Sequence, residues 1–326
     1  MSDSGDTPWL VAAFYAFVSF EPGELRQRRA EWLPLAAAAG LKGTLLLAEE
    51  GLNGTLCGPE TGLRGFLDQL RLDPRLADLE PKFSWSERQV FHRLKLRIKA
   101  EIVTMGRPEI QPAQRQTTDV PPQQWDDLIA DPDTLVIDTR NTYEVTLGSF
   151  DGAIDPATAS FRDFPAWVER DLHALVAARQ PRRLALFCTG GIRCEKATAY
   201  LQQQGFEGVH QLKGGILRYL EEVPESQSRW RGECFVFDQR VALNHRLEPG
   251  SHSLCHACGL PLSLADRQQP SYVEGVSCHH CIGQFSNADC ARFAERQRQI
   301  SLARGRGENH IGSAAWAVDP QASPAP

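Results

Sequence analysis

Apolar and polar positions along the first hundred residues follow two different periods. Residues 10–20 form a Val- and Phe-rich run closed by Glu21, Pro22 and Gly23, which predicts a central strand. Residues 24–39 carry an alanine-rich helical stretch stopped by Gly40. Residues 43–48 predict a second strand, 49–54 a turn and 55–58 a third strand. Residues 59–71, opened by a proline, predict a second helix, and residues 83–85 begin another strand. The order β-α-β-β-α-β is the ferredoxin-like α+β pattern, which by itself carries no chemistry. Residues 91–102 then alternate strictly. Leu94, Leu96 and Ile98 interleave with Arg93, Lys95, Arg97 and Lys99, so the pattern predicts one buried face and one cationic face. Like charges in a row repel and suit an anionic partner such as a phosphate backbone. The same pattern also fits an edge strand guarded by charge against strand pairing.

Residues 107–124 hold Pro108, Pro112, Pro121 and Pro122 among Gln and Thr, and predict a linker after an N-terminal domain of residues 1–106. From residue 125 to 222 apolar runs alternate with helical stretches, the pattern of an α/β domain. A buried strand at 135–138 ends in Asp138, with Arg140 two residues on. Their place at a strand's carboxyl end is where open α/β sheets hold ligands, although a structural ion pair is the favoured reading. Residues 161–178 predict helix with an internal Pro165. Residues 184–187 predict a second buried strand that ends on Cys188. Thr189, Gly190, Gly191, Ile192 and Arg193 follow, and from Cys194 the residues suit a helix up to Gly205. A strand at 209–212 and a helix opened by Gly214, Gly215 and Ile216 close the domain.

The placement of Cys188 has a chemical consequence. The first N–H groups of a helix lack partners, and glycines let a loop curl into an anion nest. These donors and a nearby Arg193 cation would hold a thiolate or a persulfide and make the sulfur nucleophilic at neutral pH. A buried structural cysteine is the bland alternative. Cys194 is open to two readings, a resolving or reducing thiol and an inert one.

The last region, residues 223–326, contains Cys255 and Cys258, then Cys278 and Cys281, as two CxxC pairs nineteen residues apart. That spacing predicts a closed, structural four-thiolate zinc site, with His256, His279 and His280 leaving a mixed ligand set open. Cys234 and Cys290 receive no role. Arg292, Arg296, Arg298, Arg304 and Arg306 lie in a stretch read as a solvated tail that could touch RNA, and residues 320–326 as disordered by composition.

Composition narrows the setting. The chain has 326 residues, 42% hydrophobic and 23% charged, with a net charge of −6, which suits a multidomain globular protein and argues against nonspecific nucleic-acid binding. Nine cysteines, four in CxxC pairs, fit a reducing compartment. The longest apolar stretch spans twelve residues, too short for a bilayer, and Asp3 and Asp6 precede it where a signal peptide needs positive charge. A cytoplasmic protein without membrane contact is expected.

The loop from Cys188 to Arg193 resembles the active-site loop of rhodanese domains, whose first cysteine carries a persulfide. Asp138-x-Arg140, Glu144 and the G-x-F-x-G-A-I stretch from Gly148 resemble the front half of such a domain. The longer CTGGIRCEK, together with LLLAEEGLNGT and the basic strand continued by EIVTMG, is similar to the bacterial tRNA uridine(34) hydroxylase family. The resemblance runs from about residue 9 to 281. It implies oxygen-dependent conversion of uridine 34 in the tRNA anticodon to 5-hydroxyuridine, with Cys188 reactive, O2 as co-substrate and an electron donor the sequence does not name. No flavin or haem motif is present. The alternative is a rhodanese-type persulfide sulfurtransferase.

Overall fold

The computed structural model describes residues 8–116 and 119–306. It divides into two compact units, Met1–His252 and Ser253–Pro326.

The first unit opens with β1 (Trp9–Phe17), α1 (Pro22–Ala38), β2 (Lys42–Ala48), β3 (Gly51–Gly58), α2 (Glu60–Arg71) and β4 (Lys82–Ser86). A fifth strand, β5 (Leu94–Ile98), follows, and the sheet order is β4-β1-β3-β2-β5. This is the expected ferredoxin-like arrangement with β5 added parallel to β2. Alternate residues Leu10, Ala12 and Phe14 of β1 and Leu45 and Leu47 of β2 face the two helices and form the core with Leu63, Phe66 and Leu70 of α2. The other sheet face is turned away from these two helices. The predicted turn at 49–54 is shorter, because Gly51 to Gly54 already pair with both β1 and β2. With no side chain at position 54, Phe14 and Leu45 pack against the strand there.

The alternating stretch is also shorter than residues 91–102. Leu96 is buried and Leu94 half-buried, but Ile98, paired with Leu47 as the last residue of this edge strand, is exposed. Arg93, Lys95, Arg97 and Lys99 are all exposed. Lys95 and Arg97 register with Thr44 and Leu46 of β2, so they lie on the sheet face opposite α1 and α2.

The α/β part comprises β6 (Asp119–Val120), α3 (Pro122–Ala130), β7 (Thr134–Asp138), α4 (Thr142–Val145) and β8 (Gly148–Phe150). It continues with α5 (Phe164–Trp167), α6 (His173–Arg179), β9 (Arg183–Phe187), α7 (Ile192–Gln203), β10 (Val209–Leu212) and α8 (Gly215–Glu222). Four parallel strands run in the order β6-β10-β9-β7. Part of the stretch read as linker therefore belongs to the fold. Asp119 pairs beside Gln211 and accepts its side-chain N–H at 2.6 Å, α3 starts at Pro122, and Ile110 is buried in the α/β core.

Residues 223–252, expected in the C-terminal region, belong to the first unit. Within them β11 (Trp230–Gly232) pairs with β8, and β12 (Cys234–Phe235) pairs with β13 (Ala242–Leu243). Trp230 packs edge-on against Phe150 of the α/β core, which explains why this segment folds with that domain.

The second unit holds β14 (Ser253–Leu254), β15 (Pro261–Leu262) and α9 (Asn287–Gly305). The arginine-rich stretch read as a solvated tail is helical as far as Gly305. Ser286 caps it by accepting the Asp289 N–H, and Arg296 donates to the carbonyls of His256 and Gly275. Residues 320–326 lie outside the described residues. Among the described residues no helix is long and apolar enough to cross a membrane.

Candidate active site and metal centre

Cys188 follows β9, and α7 begins four residues later. The loop between them is shaped by α8. The N–H groups of Ile216 and Leu217 donate to the carbonyls of Cys188 and Thr189 at 2.9 and 3.0 Å, which turns the loop N–H groups the other way. A Cβ at Gly215 would stand 2.7 Å from the Gly191 nitrogen and 2.8 Å from that of Gly190, so only glycine permits this approach. Gly191 has φ 100°, and a Cβ there would stand 2.6 Å from the Tyr15 hydroxyl.

The Cys188 sulfur accepts the Gly191 N–H at 3.1 Å. Burial alone would push this thiol up. The Cys194 thiol, the Arg193 charge and the N–H groups of Cys194 and Gly191 outweigh it and bring Cys188 down to about 5. Cys194 moves the opposite way, raised by burial and by the charge on Cys188, so it serves as donor to the thiolate. Its sulfur is 3.5 Å from the Thr139 hydroxyl. At Cys57 and Cys234 burial outweighs the Val90 N–H and the nearby arginines, and pushes the thiols up to about 11 and about 12.

Arg193 is not a free cation. It forms a double ion pair with Glu144 at 2.5 and 2.8 Å, and the Thr189 hydroxyl donates to the same carboxylate at 3.3 Å. Burial would raise the Glu144 carboxyl, but Arg193 keeps it below its ordinary range. Asp138 and Arg140 stand one layer further back. Both are fully buried, joined at 2.9 and 2.6 Å, and Arg140 donates to the carbonyls of Glu144 and Gly148. They tie the segment that carries Glu144 to the end of β7.

A second network closes the site from above. Lys196 of α7, fully buried, contacts Glu50 at 2.7 Å and Glu101 at 2.6 Å. Glu50 also accepts the Ile102 N–H, Glu101 accepts those of Met105 and Gly106, and Asn53 donates to the Ile102 carbonyl. The three stretches LLLAEEGLNGT, EIVTMG and CTGGIRCEK thus meet at one ion-paired lysine. It fixes the N-terminal sheet over the Cys188 loop.

Between sheet and loop lies a cavity of about 480 Å³, within the range of small-ligand sites. Its walls include Tyr15, Asn53 and Lys82 from the sheet face opposite α1 and α2, Cys188 and Gly190 from the loop, and Phe237 from the segment after β12. Cys188 has no surface open to bulk solvent but forms part of this wall. The Tyr15 hydroxyl donates to Glu195 at 2.7 Å, tying sheet to α7 a second time.

In the second unit the sulfurs of Cys255, Cys258, Cys278 and Cys281 all lie within 4.8 Å of one another. Three of the separations are 3.9, 3.8 and 3.7 Å. Tetrahedral Zn–S bonds of about 2.3 Å place sulfurs about 3.8 Å apart, so the four cysteines fit a metal such as zinc. Among the described residues, the group that could hold a metal consists of these four cysteines, with no histidine in it. With four protein donors the site leaves no position for substrate. Stripping the metal with a strong chelator is expected to unfold this unit, because structural zinc contributes about 10–16 kcal/mol. Loss of α9 helicity by circular dichroism, restored by added zinc, would check this.

Comparison with known proteins matches this geometry. Residues 9–102 match the UPF0176 acylphosphatase like domain, and residues 121–222 match the Rhodanese-like domain. A tRNA uridine(34) hydroxylase of Parasynechococcus marenigrum (strain WH8102) is 58% identical over 306 residues, covering 92% of this chain and 95% of that protein. The chain belongs to the tRNA uridine(34) hydroxylase family. A tRNA uridine(34) hydroxylase of Ruegeria pomeroyi is 54% identical, covering 94% of this chain and 99% of that one.

For this member of the tRNA uridine(34) hydroxylase family, the structure gathers Cys188, Thr189, Gly190, Ile192 and Arg193 on one cavity wall, with Gly191 directly behind. It leaves Asp138, Arg140 and Cys194 off that wall. Sequence reasoning named Glu144 without giving it a role, and it missed Tyr15, Lys82, Lys196 and Phe237. The charged residues inside the three similar stretches were the available signal for the lysine clamp. Nothing in the sequence pairs Lys82 with a loop more than a hundred residues away.

Proposed function

We propose that this protein is an oxidoreductase that hydroxylates C5 of uridine 34 in tRNA, with O2 as oxidant and Cys188 as nucleophile. The observation that supports this reading is a cysteine sulfur that accepts the Gly191 N–H on the wall of a cavity with room for a nucleobase, roofed by the N-terminal sheet. The base leaves the anticodon stack to enter, as other enzymes acting on nucleobases require.

Addition of the Cys188 sulfur to C6 forms a C–S bond and moves its electron pair onto C5 and O4. The C5 carbanion attacks O2 and, with one proton, gives a C5 hydroperoxide. An external two-electron donor cleaves the O–O bond, leaving a C5 hydroxyl and, with two protons, releasing water. Loss of the C5 proton expels the Cys188 thiolate and restores the C5–C6 double bond. The sum is uridine, O2, two electrons and two protons giving 5-hydroxyuridine and water. The Gly191 and Cys194 N–H groups favour the departing thiolate.

The tRNA backbone would run along the exposed cations of β5. Lys95 and Arg97 share the sheet face that lines the cavity, with Arg93 and Lys99 continuing the row. Phe237, 59% exposed at the cavity wall, offers a ring for a neighbouring base. Phe237→Ala is expected to weaken tRNA binding about 5- to 100-fold, since a stacked base contributes about 1–3 kcal/mol. Lys95→Ala with Arg97→Ala is expected to lower the salt dependence of binding by about two phosphate contacts. Fluorescence anisotropy across a salt series measures both. Unchanged slopes would remove β5 from the interface.

The test of function is nucleoside mass spectrometry of tRNA from cells lacking this protein, complemented with wild type or Cys188→Ala. 5-Hydroxyuridine restored by wild type alone supports the proposal. The rhodanese-type loop also suits a persulfide sulfurtransferase. Sulfur loading of Cys188 from thiosulfate, with turnover independent of RNA, would favour that reading. A substrate that is tRNA, and cysteines spaced as metal ligands, support a cytoplasmic location.

A further inference from the structure

Three basic side chains line the cavity among the described residues, and two are already neutralised. Arg193 is held by Glu144. Arg240 is held by Asp238 at 2.9 and 2.6 Å and donates to the Ser84 hydroxyl at 2.8 Å. The third is Lys82 of β4. Its ammonium makes no hydrogen bond or ion pair among the described residues and lies 4.6 Å from the centre of the Tyr15 ring. Tyr15 in turn sits directly over Gly191 of the Cys188 loop.

The chemistry proposed above creates a demand that the loop cannot meet. Before addition the negative charge is on sulfur, inside the N–H nest. After addition it lies on the uracil O4, away from those donors. Fixed N–H groups cannot follow it. A cation on the opposite wall can meet it without rearrangement.

We propose that Lys82 is a catalytic residue of the hydroxylation, its ammonium binding the uracil O4 that becomes anionic when Cys188 adds to C6. This inference rests on the addition chemistry proposed for Cys188. Partial removal from water makes such an ammonium more effective and also easier to deprotonate. Burial brings Lys82 down to about 8, opposed by Glu195 of α7, assisted by Arg218 of α8, and opposed again by Cys188 and by Glu80. The cation is therefore present below about pH 8 and is lost above it, which gives turnover an alkaline limb near that pH.

The test uses the full chain and an unmodified tRNA transcript, with single-turnover 5-hydroxyuridine formation read by mass spectrometry. Lys82→Met is expected to slow turnover about 10²- to 10³-fold, the usual effect of removing one donor to a developing oxyanion, with tRNA affinity within about two-fold of wild type. Lys82→Arg is expected to retain most of the rate and to move the alkaline limb above pH 10, because guanidinium stays charged. This second variant answers the question even where Lys82→Met fails to fold. Wild-type rate in Lys82→Met, or an unmoved alkaline limb in Lys82→Arg, would overturn the proposal. So would a loss in Lys82→Met explained wholly by weaker tRNA binding, which would make Lys82 a phosphate contact. Full activity in Cys188→Ser would sink the addition chemistry itself. An inactive Cys188→Ser beside an unaffected Lys82→Met would sink the role of Lys82 alone.

Discussion

Cys188→Ser is expected to abolish 5-hydroxyuridine formation, by about 10³-fold or more, while leaving the fold intact. The serine hydroxyl fits the same space and accepts the same Gly191 N–H. It cannot ionise near neutrality, so the nest has no anion to hold and no nucleophile to release. The sign of the pH dependence follows from the same donors. The Cys188 pKa lies near 5, far below its ordinary value, so the thiolate dominates above pH 5 and is lost below it. Alkylation of Cys188 by a small haloacetamide should hold level from pH 8 to pH 6, turnover should hold level from about pH 7 to pH 6, and both should fall through pH 5. An alkylation rate that instead rises tenfold per pH unit up to pH 8 would show an ordinary thiol. Retained hydroxylation in Cys188→Ser would remove covalent addition from the mechanism. RNA containing 5-fluorouridine at position 34 offers an independent check, since addition to C6 would trap the protein on it.

Lys196→Met is expected to carry the largest stability loss, about 3–5 kcal/mol, because it leaves two carboxylates facing each other with no cation between them. Lys196 is fully buried, and Glu101 is 7% exposed. For a unit of this size that loss lowers the melting temperature by about 10 °C. Activity should fall as well, since the same lysine holds the N-terminal sheet, with Tyr15 and Lys82, over the Cys188 loop. The acid response should change in a defined direction. Burial would raise the Glu101 carboxyl, but Lys196 and the Met105 and Gly106 N–H groups lower it below its ordinary value. It therefore contributes stability that is full above about pH 4.5 and is lost as acid titrates the folded carboxylate. In Lys196→Met the carboxyl is raised instead, and the variant should be least stable, relative to wild type, at neutral pH. Converting Glu50 and Glu101 to Gln in the same chain should recover part of the loss. Thermal melts of the three proteins at pH 5 and pH 7 decide this. Equal melting temperatures would show that the triad is not what joins sheet and loop.

Much of the local structure is legible in residue order. The four-strand ferredoxin-like pattern, the strand ending on Cys188, the glycine loop and the paired CxxC knuckles all depend on neighbours within a few residues. Hydrophobic period, helix-stopping glycine and metal-ligand spacing are properties of such short windows. The errors came where a distant partner decides. Asp119 and Val120 look like linker until β10 pairs with them. Residues 223–252 look like part of the cysteine-rich region until Trp230 finds Phe150. The arginine-rich stretch after Ala291 looks like a tail until its helix forms and Arg296 meets the His256 and Gly275 carbonyls.

The sequence alone determined that one sulfur would stand at a strand end before a helix, because the flanking residues dictate that turn. It also determined two CxxC knuckles and a cationic strand. Only the tertiary structure decided that Arg193 spends its charge on Glu144, that Lys196 joins three separated stretches, and that Lys82 faces the sulfur across a cavity. Such pairings depend on where the sheet and the loop come to lie against each other. Coulomb attraction and burial act through space, and no local pattern of residues encodes which distant charge will be left without a partner.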